Sequence, residues 1–492
     1  MAADSGQIVD RTEGMERLRE DFQALCTMVS GAEGAVHTAA SMELRIFRGV
    51  LELGRRLLEQ FFVTRAAARP VAPVTRSGLP MTECRHRPRT YRSVFGTIVF
   101  RRHRFFAPDE EGVSPLDADL SLPEHCYSPL LRDWAGFEAT NGSFEMSAAT
   151  LRRILGLNLS KSALETILRD DATDVDAFYD QKPAPPNDLE GSILVAQADG
   201  AGVRLAGTEP SERTGHLTSK REAIVTALYS IQPFVRTPEQ LVDALLPDLK
   251  ARTKPSPESS RPAPVAKESR ASLDGKEAAI TRLADRVSLR DKPRFEHRVS
   301  LADGSEALQN HMTVKLPSFT LVLDIMHVLT YLWPAAQALN GRWRSPACLA
   351  YIRKQLLALL SGDTQAVIDD MKTKVEAAHL KDDWRKPVDE AIRYFTRNAP
   401  HMRYDLYLAR GWPIASGVIE GACRHVVRDR LDCSGMIWSQ PGAHAMLQLR
   451  AVRINSDWDD YQSFHSRCQH QRLYDSPPPH ASPECQIFDL AA

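Results

Sequence analysis

Between Ile193 and Ala206 the chain reads Ile-Leu-Val-Ala-Gln-Ala-Asp-Gly-Ala-Gly-Val-Arg-Leu-Ala, an apolar run that stops on Asp199-Gly200 and resumes at Val203. This pattern predicts two short strands joined by a tight turn, with Gly200 and Gly202 supplying permissive backbone. A carboxylate at the end of a buried strand is costly unless something pairs with it, and a divalent cation is one such partner. The plain alternative is an Asp-Gly hairpin turn with its acid in water. The rest of the chain has to decide between the two.

The same punctuation returns downstream. His297 to Ala302 reads as a strand ending in Asp303-Gly304, and Phe319 to Leu323 as one ending in Asp324, with His327 three residues on. Ala223 to Ile231 is a further strand, and helices are predicted over 238–246 and 275–289. Residues 251–275, with four prolines and five serines, read as a disordered surface insertion. The resulting order, β-β-β-α-β-α-β-α, predicts a mixed α/β fold, a ribonuclease-H-like sheet covered by helices, over 188–465. Residues 346–410 are helical throughout and form an insertion in that core. After Gly411-Trp412-Pro413 a last helix opens with Ser416-Gly417-Val418-Ile419-Glu420 and carries Arg424, Arg428 and Arg430.

Three regions precede the core. Residues 1–75 form a helical region with apolar faces through Leu18, Phe22 and Leu25 and through Leu44, Phe47, Leu51, Leu57 and Phe61. Within 76–127, residues 85–104 hold seven arginines and no acid, on an alternating pattern that predicts a β-hairpin turning near Gly96-Thr97. Arginines on a ribbon, Arg101, Arg102 and Arg104 among them, suit contact with phosphates; a solvated charged surface is the alternative. Residues 128–187 contain a helix, a turn around Gly156–Ser160 and a second helix opened by Lys161. Such a pair suits the DNA major groove but is also common in plain bundles. The 466–492 stretch reads as a disordered tail.

Net charge is −1 at pH 7, so binding to nucleic acid would rest on local patches. The most apolar window, Leu321 to Leu339, is interrupted by Asp324 and His327, so no membrane span is expected. No basic-then-apolar leader opens the chain, so no signal peptide is expected. Eight cysteines without a Cys-x-x-Cys pair fit a reducing cytoplasm.

Asp199, Asp303 and Glu420 thus stand out as hard oxygen donors of the kind magnesium prefers. Two such ions can activate a water or a 3′-hydroxyl and stabilise the leaving oxygen. Glu420, Arg424 and Arg428 recur every four residues and so share one side of their helix. The alternative for Glu420 is dipole compensation in a first helical turn. Asp324 and His327 are two ligands of a four-ligand zinc site at most, or a structural pair fixing a strand–helix junction.

Several ordered blocks resemble bacterial insertion-sequence transposases of the ISKra type. They are Ala-Asp-Gly at 198–200, Lys-Arg-Glu-Ala at 220–223, Arg-Thr-Pro-Glu at 236–239, residues 323–333, 411–425 and 429–439, within roughly 120–465. The resemblance implies a ribonuclease-H-like Asp-Asp-Glu enzyme that cuts double-stranded DNA at transposon ends and joins 3′ ends with magnesium or manganese. By implication it works as a homo-oligomer on DNA in the bacterial cytoplasm, at the nucleoid. Asp199, Asp303 and Glu420 then hold the metal, and Arg424, Arg428 and Arg430 contact DNA. Related Mutator-like enzymes place the second acid at an Asp-Gly strand end, with an accessory Cys/Asp-x-x-His after it. That pattern assigns Asp303 as catalytic and Asp324 with His327 as accessory, Asp324 staying the rival. Only Cys84 and Cys126 stand where relatives carry zinc-ribbon cysteines, which argues against structural zinc. A silent DNA-binding descendant and a stand-alone nuclease on the same core remain open.

Overall fold

A computed structural model describes residues 11–474, apart from 33, 69, 76, 109, 208–217, 247–260 and 344. The chain forms two compact units, one from its start to Phe178 and from Asp457 onward, the other from Tyr179 to Ser456.

In the first unit α1 (Arg11–Ser30) packs on α2 (Ala39–Ala66), which Thr38 caps. Phe62 of α2 stacks flat on Phe100 at 4.5 Å, tying the helix to a three-stranded antiparallel sheet. Leu44, Phe47, Val50, Leu57 and Phe61 stay exposed on the same helix. The sheet comprises β1 (Glu83–Ser93), β2 (Gly96–Ala107) and β3 (Glu110–Val113). The hairpin reverses at Val94-Phe95, just before the expected Gly96-Thr97, with Ser93 opposite Gly96. Gly96 takes φ +131°, which an L side chain rarely adopts.

Four helices follow the short α3 (Pro115–Asp119): α4 (Pro129–Ala139), α5 (Phe144–Leu155), α6 (Lys161–Asp171) and α7 (Val175–Gln181). Ser128, Ser143 and Ser160 each accept the backbone N–H three residues on at 3.1 Å, which defines the starts of α4, α5 and α6. Gly156 ends α5 in the left-handed conformation. Leu131, Leu151, Leu164 and Ile167 form the core between them. The helix Trp458–Tyr474 belongs to this unit as well. Trp458 Nε1 donates to Asp133 at 2.6 Å, and His465 Nδ1 lies 2.7 Å from Asp174. The expected tail at 466–492 is therefore ordered helix up to Tyr474, because Tyr461 and His465 are buried; the remainder lies outside the described residues.

The second unit is built on a five-stranded mixed sheet, β4 (Ile193–Ala206), β5 (Thr218–Ile231), β6 (Val265–Ser272), β7 (His297–Ala302) and β8 (Thr320–Leu323), in the order β6-β5-β4-β7-β8. β4 runs antiparallel to β5 and parallel to β7, and β7 runs parallel to β8. Two sequence expectations change here. Residues 193–206 form one strand, paired without a break from Ile193↔Ile231 to Ala206↔Thr218. The in-facing parity of Val195 continues through Ala201, Val203 and Leu205, so a reversal at Asp199-Gly200 would have no apolar face to serve. The glycines make room instead: a Cβ at Gly200 would meet Glu222 at 2.1 Å, and one at Gly202 would meet Lys220 at 2.1 Å. The expected insertion at 251–275 contains β6, held by a buried Glu268–Arg286 ion pair and by Asn455 Oδ1 accepting the Ser269 N–H at 2.8 Å. Its first part, up to residue 260, lies outside the described residues.

Both faces of the sheet are covered, so its central strand reads as a nearly continuous apolar run. Even positions of β4 (Leu194, Ala196, Ala198) pack against α9 (Lys276–Arg290) and α10 (Glu306–Lys315), which follow α8 (Pro238–Leu245). Odd positions (Ile193, Val195), with Val299 and Leu301 of β7, face α11 (Ile325–Asn340), α12 (Pro346–Leu360), α13 (Thr364–Ala378), α14 (Asp382–Asn398) and α15 (Tyr404–Ala409). Burying each such Val, Leu or Ile is worth roughly 1.5–3 kcal/mol. Next come α16 (Gly417–Ala422), a π-helical stretch (Cys423–Arg428), α17 (Asp429–Leu431) and α18 (Gln440–Ile454).

Candidate active site

Strand register places the first two acids. Val195 pairs with Val299 and Gln197 with Leu301 across parallel strands. Two residues beyond the last of these pairs come Asp199, still within β4, and Asp303, just past the end of β7, both half-buried. Asp199 Oδ1 accepts the Gly200 N–H at 2.7 Å, and Oδ2 receives only the Cys423 thiol at 3.7 Å. Asp303 Oδ1 accepts the Ser305 N–H at 3.0 Å, which turns the chain into α10. Gly304 is required by packing: a Cβ there would meet the Tyr394 ring at 2.1 Å. Burial, reinforced by the charge of Asp303, pushes the Asp199 carboxyl above the usual carboxylate range, against the opposing effects of the Gly200 N–H and His327.

Asp324 differs in every respect. It is 0% exposed and caps α11. Its Oδ1 accepts the N–H groups of Met326 (3.1 Å) and Ser416 (3.0 Å). Its Oδ2 is met by His327 Nδ1 and by Ser416 Oγ, both at 2.7 Å. Burial alone would raise this carboxyl; the hydrogen bonds from His327, Ser416 and Met326 outweigh it and hold Asp324 below the usual range. His327 is raised in turn, by its bond to Asp324 first and by the charges of Asp303 and Asp199 among the lesser causes.

Glu420 lies in the first turn of α16, exposed, with Oε1 2.9 Å from Ser416 Oγ. That turn is anchored by the Ile419 N–H, which Gln197 Oε1 accepts at 3.0 Å. Gln197 is fully buried on β4, two residues before Asp199, and its Nε2 has no partner. Burial, with the charge of Asp199, pushes the neighbouring Cys423 thiol up to about 12. Gln197, Ser416 and Cys423 escape sequence reasoning. A lone Gln inside a buried apolar strand and a Ser at a helix start were the available signals.

The basic residues divide. Arg424 and Arg428 are exposed, Arg424 facing Asp429 at 3.5 Å. The π-helical turn widens their stretch, so the four-residue spacing from Glu420 is no longer an α-helical stack. Arg430 is 2% exposed, over the Trp438 ring at 4.7 Å, and burial beside Arg450 pulls it down to about 10. It belongs to the interior, contrary to its expected DNA contact.

In the first unit the β1–β2 register sorts the arginines by face. Arg85, Arg87 and Arg89 share a face with Arg102 and Arg104, and Arg101 lies on the other with His86 and His103. Arg102, expected as a DNA contact, is buried and engaged with both carboxylate oxygens of Asp117, at 2.5 and 2.7 Å. Arg104 lies over Phe106 at 5.8 Å. Arg87, Arg89, Arg102, Arg104, Phe106 and Glu124 line a groove of about 650 Å³, where Arg89 lies 3.7 Å from Asp117 and Arg104 3.9 Å from Glu111. Lys161 is exposed at the start of α6 and pairs with Glu145 at 3.0 Å.

Among the described residues no three His, Cys, Asp or Glu side chains converge closely enough to hold a metal ion. Asp303 is near enough to Asp199 for its charge to raise that carboxyl, and Glu420 lies against the Ser416 hydroxyl. Cys84 and Cys126 are free thiols. Among the same residues no helix is long and apolar enough to cross a membrane.

No protein-family model matches the chain, and no curated protein matches it. Among solved structures, the Drosophila P element transposase strand transfer complex aligns with 72% of this chain and 83% of its own, at 11% identity and a TM-score of 0.23. A likeness this low leaves the functional reading to the residues themselves.

Proposed function

We propose that this chain is an insertion-sequence transposase, a divalent-metal-dependent enzyme that cuts DNA at transposon ends and transfers the strand. The observation that carries the reading is Asp199 in β4 and Asp303 just past the end of the neighbouring parallel β7, close enough for the charge of Asp303 to act on Asp199, with the turn that bears Glu420 anchored on Gln197 of β4. The strand order, with two antiparallel and two parallel partnerships around β4, suits a ribonuclease-H-like core. The blocks resembling ISKra-type transposases include Asp199, Asp324 and Glu420, while Asp303 is assigned from its Asp-Gly position alone.

In this reading Asp199, Asp303 and Glu420 hold magnesium or manganese. Such an ion, when bound, supplies Lewis-acid activation of a water or 3′-hydroxyl and of the leaving oxygen. Asp199 carries a carboxylate destabilised by burial and by its neighbour, which a cation relieves. Asp324 has every lone pair engaged and serves as the accessory residue, orienting His327 and the Ser416 backbone. Arg424 and Arg428 hold DNA phosphates near the cut. On the first unit, Arg101 and Arg104, with the exposed Arg87 beside them, take the backbone-contact role expected of the hairpin, with Lys161 on α6. The exposed apolar face of α2 suits assembly of a homo-oligomer on DNA, and the setting is the bacterial cytoplasm.

One observation favours a second reading, a silent DNA-binding descendant: the three acids are not gathered around a common point. Cleavage of labelled duplex carrying the element's own ends, with magnesium or manganese, decides between them. Cutting by the wild-type chain and none by Glu420→Ala supports the enzyme. Binding of the ends without cutting under either metal supports the silent reading.

A further inference from the structure

Asp303 lies past Ala302, the last paired residue of β7, so the sheet ladder no longer fixes it. What holds the Asp303-Gly304 turn is α14, which enters the sequence some 90 residues later. Both carbonyls of the turn are engaged. Arg397 of α14 donates to Gly304 O. Gln309 Nε2 donates one hydrogen to Asp303 O at 3.0 Å and the other to Asn398 Oδ1 at 2.9 Å. Asn398 is fully buried and its Nδ2 donates to Tyr394 O at 2.8 Å, so its amide has a single orientation. Tyr394 closes the turn on its Gly304 side, where a Cβ would meet the ring at 2.1 Å. That ring stacks on Tyr331 of α11 at 3.9 Å and 14°, which keeps it in place. The Asp303 carboxylate then has one local tie, the Ser305 N–H on Oδ1 at 3.0 Å.

We propose that Tyr394, Arg397 and Asn398 are positioning residues, through which the helical insertion fixes the direction of the Asp303 carboxylate. The inference rests on the assignment of Asp303 as a site acid, and it gives the insertion a task beyond covering the sheet. The three residues act on different atoms of the turn. Arg397 holds the Gly304 carbonyl, Asn398 holds the Asp303 carbonyl through Gln309, and the Tyr394 ring bears on Gly304 itself. The Tyr394 hydroxyl is buried without a hydrogen-bond partner among the described residues, so the ring and not the phenol makes this contact. A shift of about 1 Å at a reacting group can cost about 10²-fold in rate. Loosening the turn is therefore felt at the acid, although each residue acts through the backbone.

The test is hydrogen exchange of the full-length chain, read by mass spectrometry at the 303–308 peptide, beside single-turnover cleavage of duplex carrying the element's ends. Arg397→Ala, Asn398→Ala and Tyr394→Ala are each expected to speed exchange of that peptide about three- to tenfold, the worth of one net hydrogen bond or contact in a local opening. Exchange in β4 and β5 is expected to stay as in wild type. Cleavage at saturating DNA is expected to slow about 10- to 100-fold, with the DNA dissociation constant and its salt slope unchanged. Arg397→Lys, which keeps a donor, is expected to recover most of both, and Tyr394→Phe to match wild type. Should the buried Asn398→Ala or Tyr394→Ala fail to fold by circular dichroism, Arg397, which is exposed, carries the same readout. Unchanged exchange in Arg397→Ala overturns the proposal. A reduced salt slope with unchanged exchange would make Arg397 a DNA contact instead. Slower cleavage by Tyr394→Phe would give the phenol a part in the chemistry and overturn its positioning role. If exchange speeds up as expected but Asp303→Ala cuts like wild type, or wild type never cuts, the turn is held as described and the acid assignment fails, taking the proposed role with it.

Discussion

Two acidic junctions at the same sheet end carry aspartates that look alike in sequence, each closing an apolar run, and they have opposite chemistry. At the β4–β7 end, Asp199 and Asp303 stand together with one backbone N–H apiece. At the β8–α11 junction, Asp324 receives four donors and is fully buried. The first junction leaves negative charge unsatisfied, and the second consumes it entirely. A carboxylate that faces another carboxylate is poised for a cation, whereas one saturated by N–H and O–H groups is part of the scaffold.

The contrast is broken most directly at the level of chemistry. Asp199→Ala and Asp303→Ala are each expected to lower metal-dependent strand cleavage by about 10³-fold, with circular dichroism and DNA binding unchanged. Equal loss from a well-folded Asp324→Ala, with normal cutting by Asp303→Ala, would exchange the two assignments. The next effect is on stability. Asp324→Ala strands His327 and two buried N–H donors, so urea unfolding is expected to show a loss of about 3 kcal/mol. Asp199→Asn removes a charge that folding disfavours and is expected to leave stability equal or higher. A large loss there would show that Asp199 is structural after all.

The pH dependence sharpens the same comparison with smaller effects. Asp324 is depressed below 3.8, so its contribution is present above that value and is lost as pH falls through the depressed value. His327 is raised above 6.5, so its contribution is complete below 6.5 and is lost as pH rises through the raised value. The stability difference between wild type and His327→Gln is therefore expected to peak between pH 3.8 and 6.5 and to shrink on either side. Asp199 is raised, so its relative stability is full below 3.8 and is lost as pH rises through its folded value. Asp199→Asn should gain on wild type over that rise. Parallel pH profiles for the two variants in denaturant melts would erase the distinction between the junctions.

Much of this architecture was legible because strand periodicity and acid-terminated runs survive in sequence. The number of strands came out right through two compensating departures. One continuous β4 was divided at Asp199-Gly200, and β6 was taken for disorder. β6 hides because its sequence, Val-Ala-Lys-Glu-Ser-Arg-Ala-Ser, carries its burial on a paired Glu268 and on small residues, with almost no large apolar side chain. The site acids were visible as residue types in a pattern. Ser416 and Gln197 were not, because their roles depend on elements some 90 and 220 residues away. Arg430 was misplaced for a related reason: a π-helical turn shifts the phase on which a helical face is read.

The smallest expected effect repeats the contrast between spent and available charge on the β1–β2 ribbon. Arg102 and Arg87 are cross-strand partners on one face, yet Arg102 is buried on Asp117 and Arg87 is exposed in the groove. Breaking the buried Arg102–Asp117 pair by Arg102→Ala is expected to lower stability and leave the salt dependence of duplex binding as in wild type. Arg87→Ala is expected to leave the melting temperature unchanged and to reduce the slope of log binding constant against log salt by about 1, one released counterion. Fluorescence anisotropy across a salt series reads that slope. An unchanged slope for Arg87→Ala would move the DNA-contacting face off this groove, and a reduced slope for Arg102→Ala would mean that its bond to Asp117 opens when DNA arrives. The decisive quantity is whether a guanidinium is buried against its carboxylate, the same criterion that separates Asp199 from Asp324 with the signs reversed.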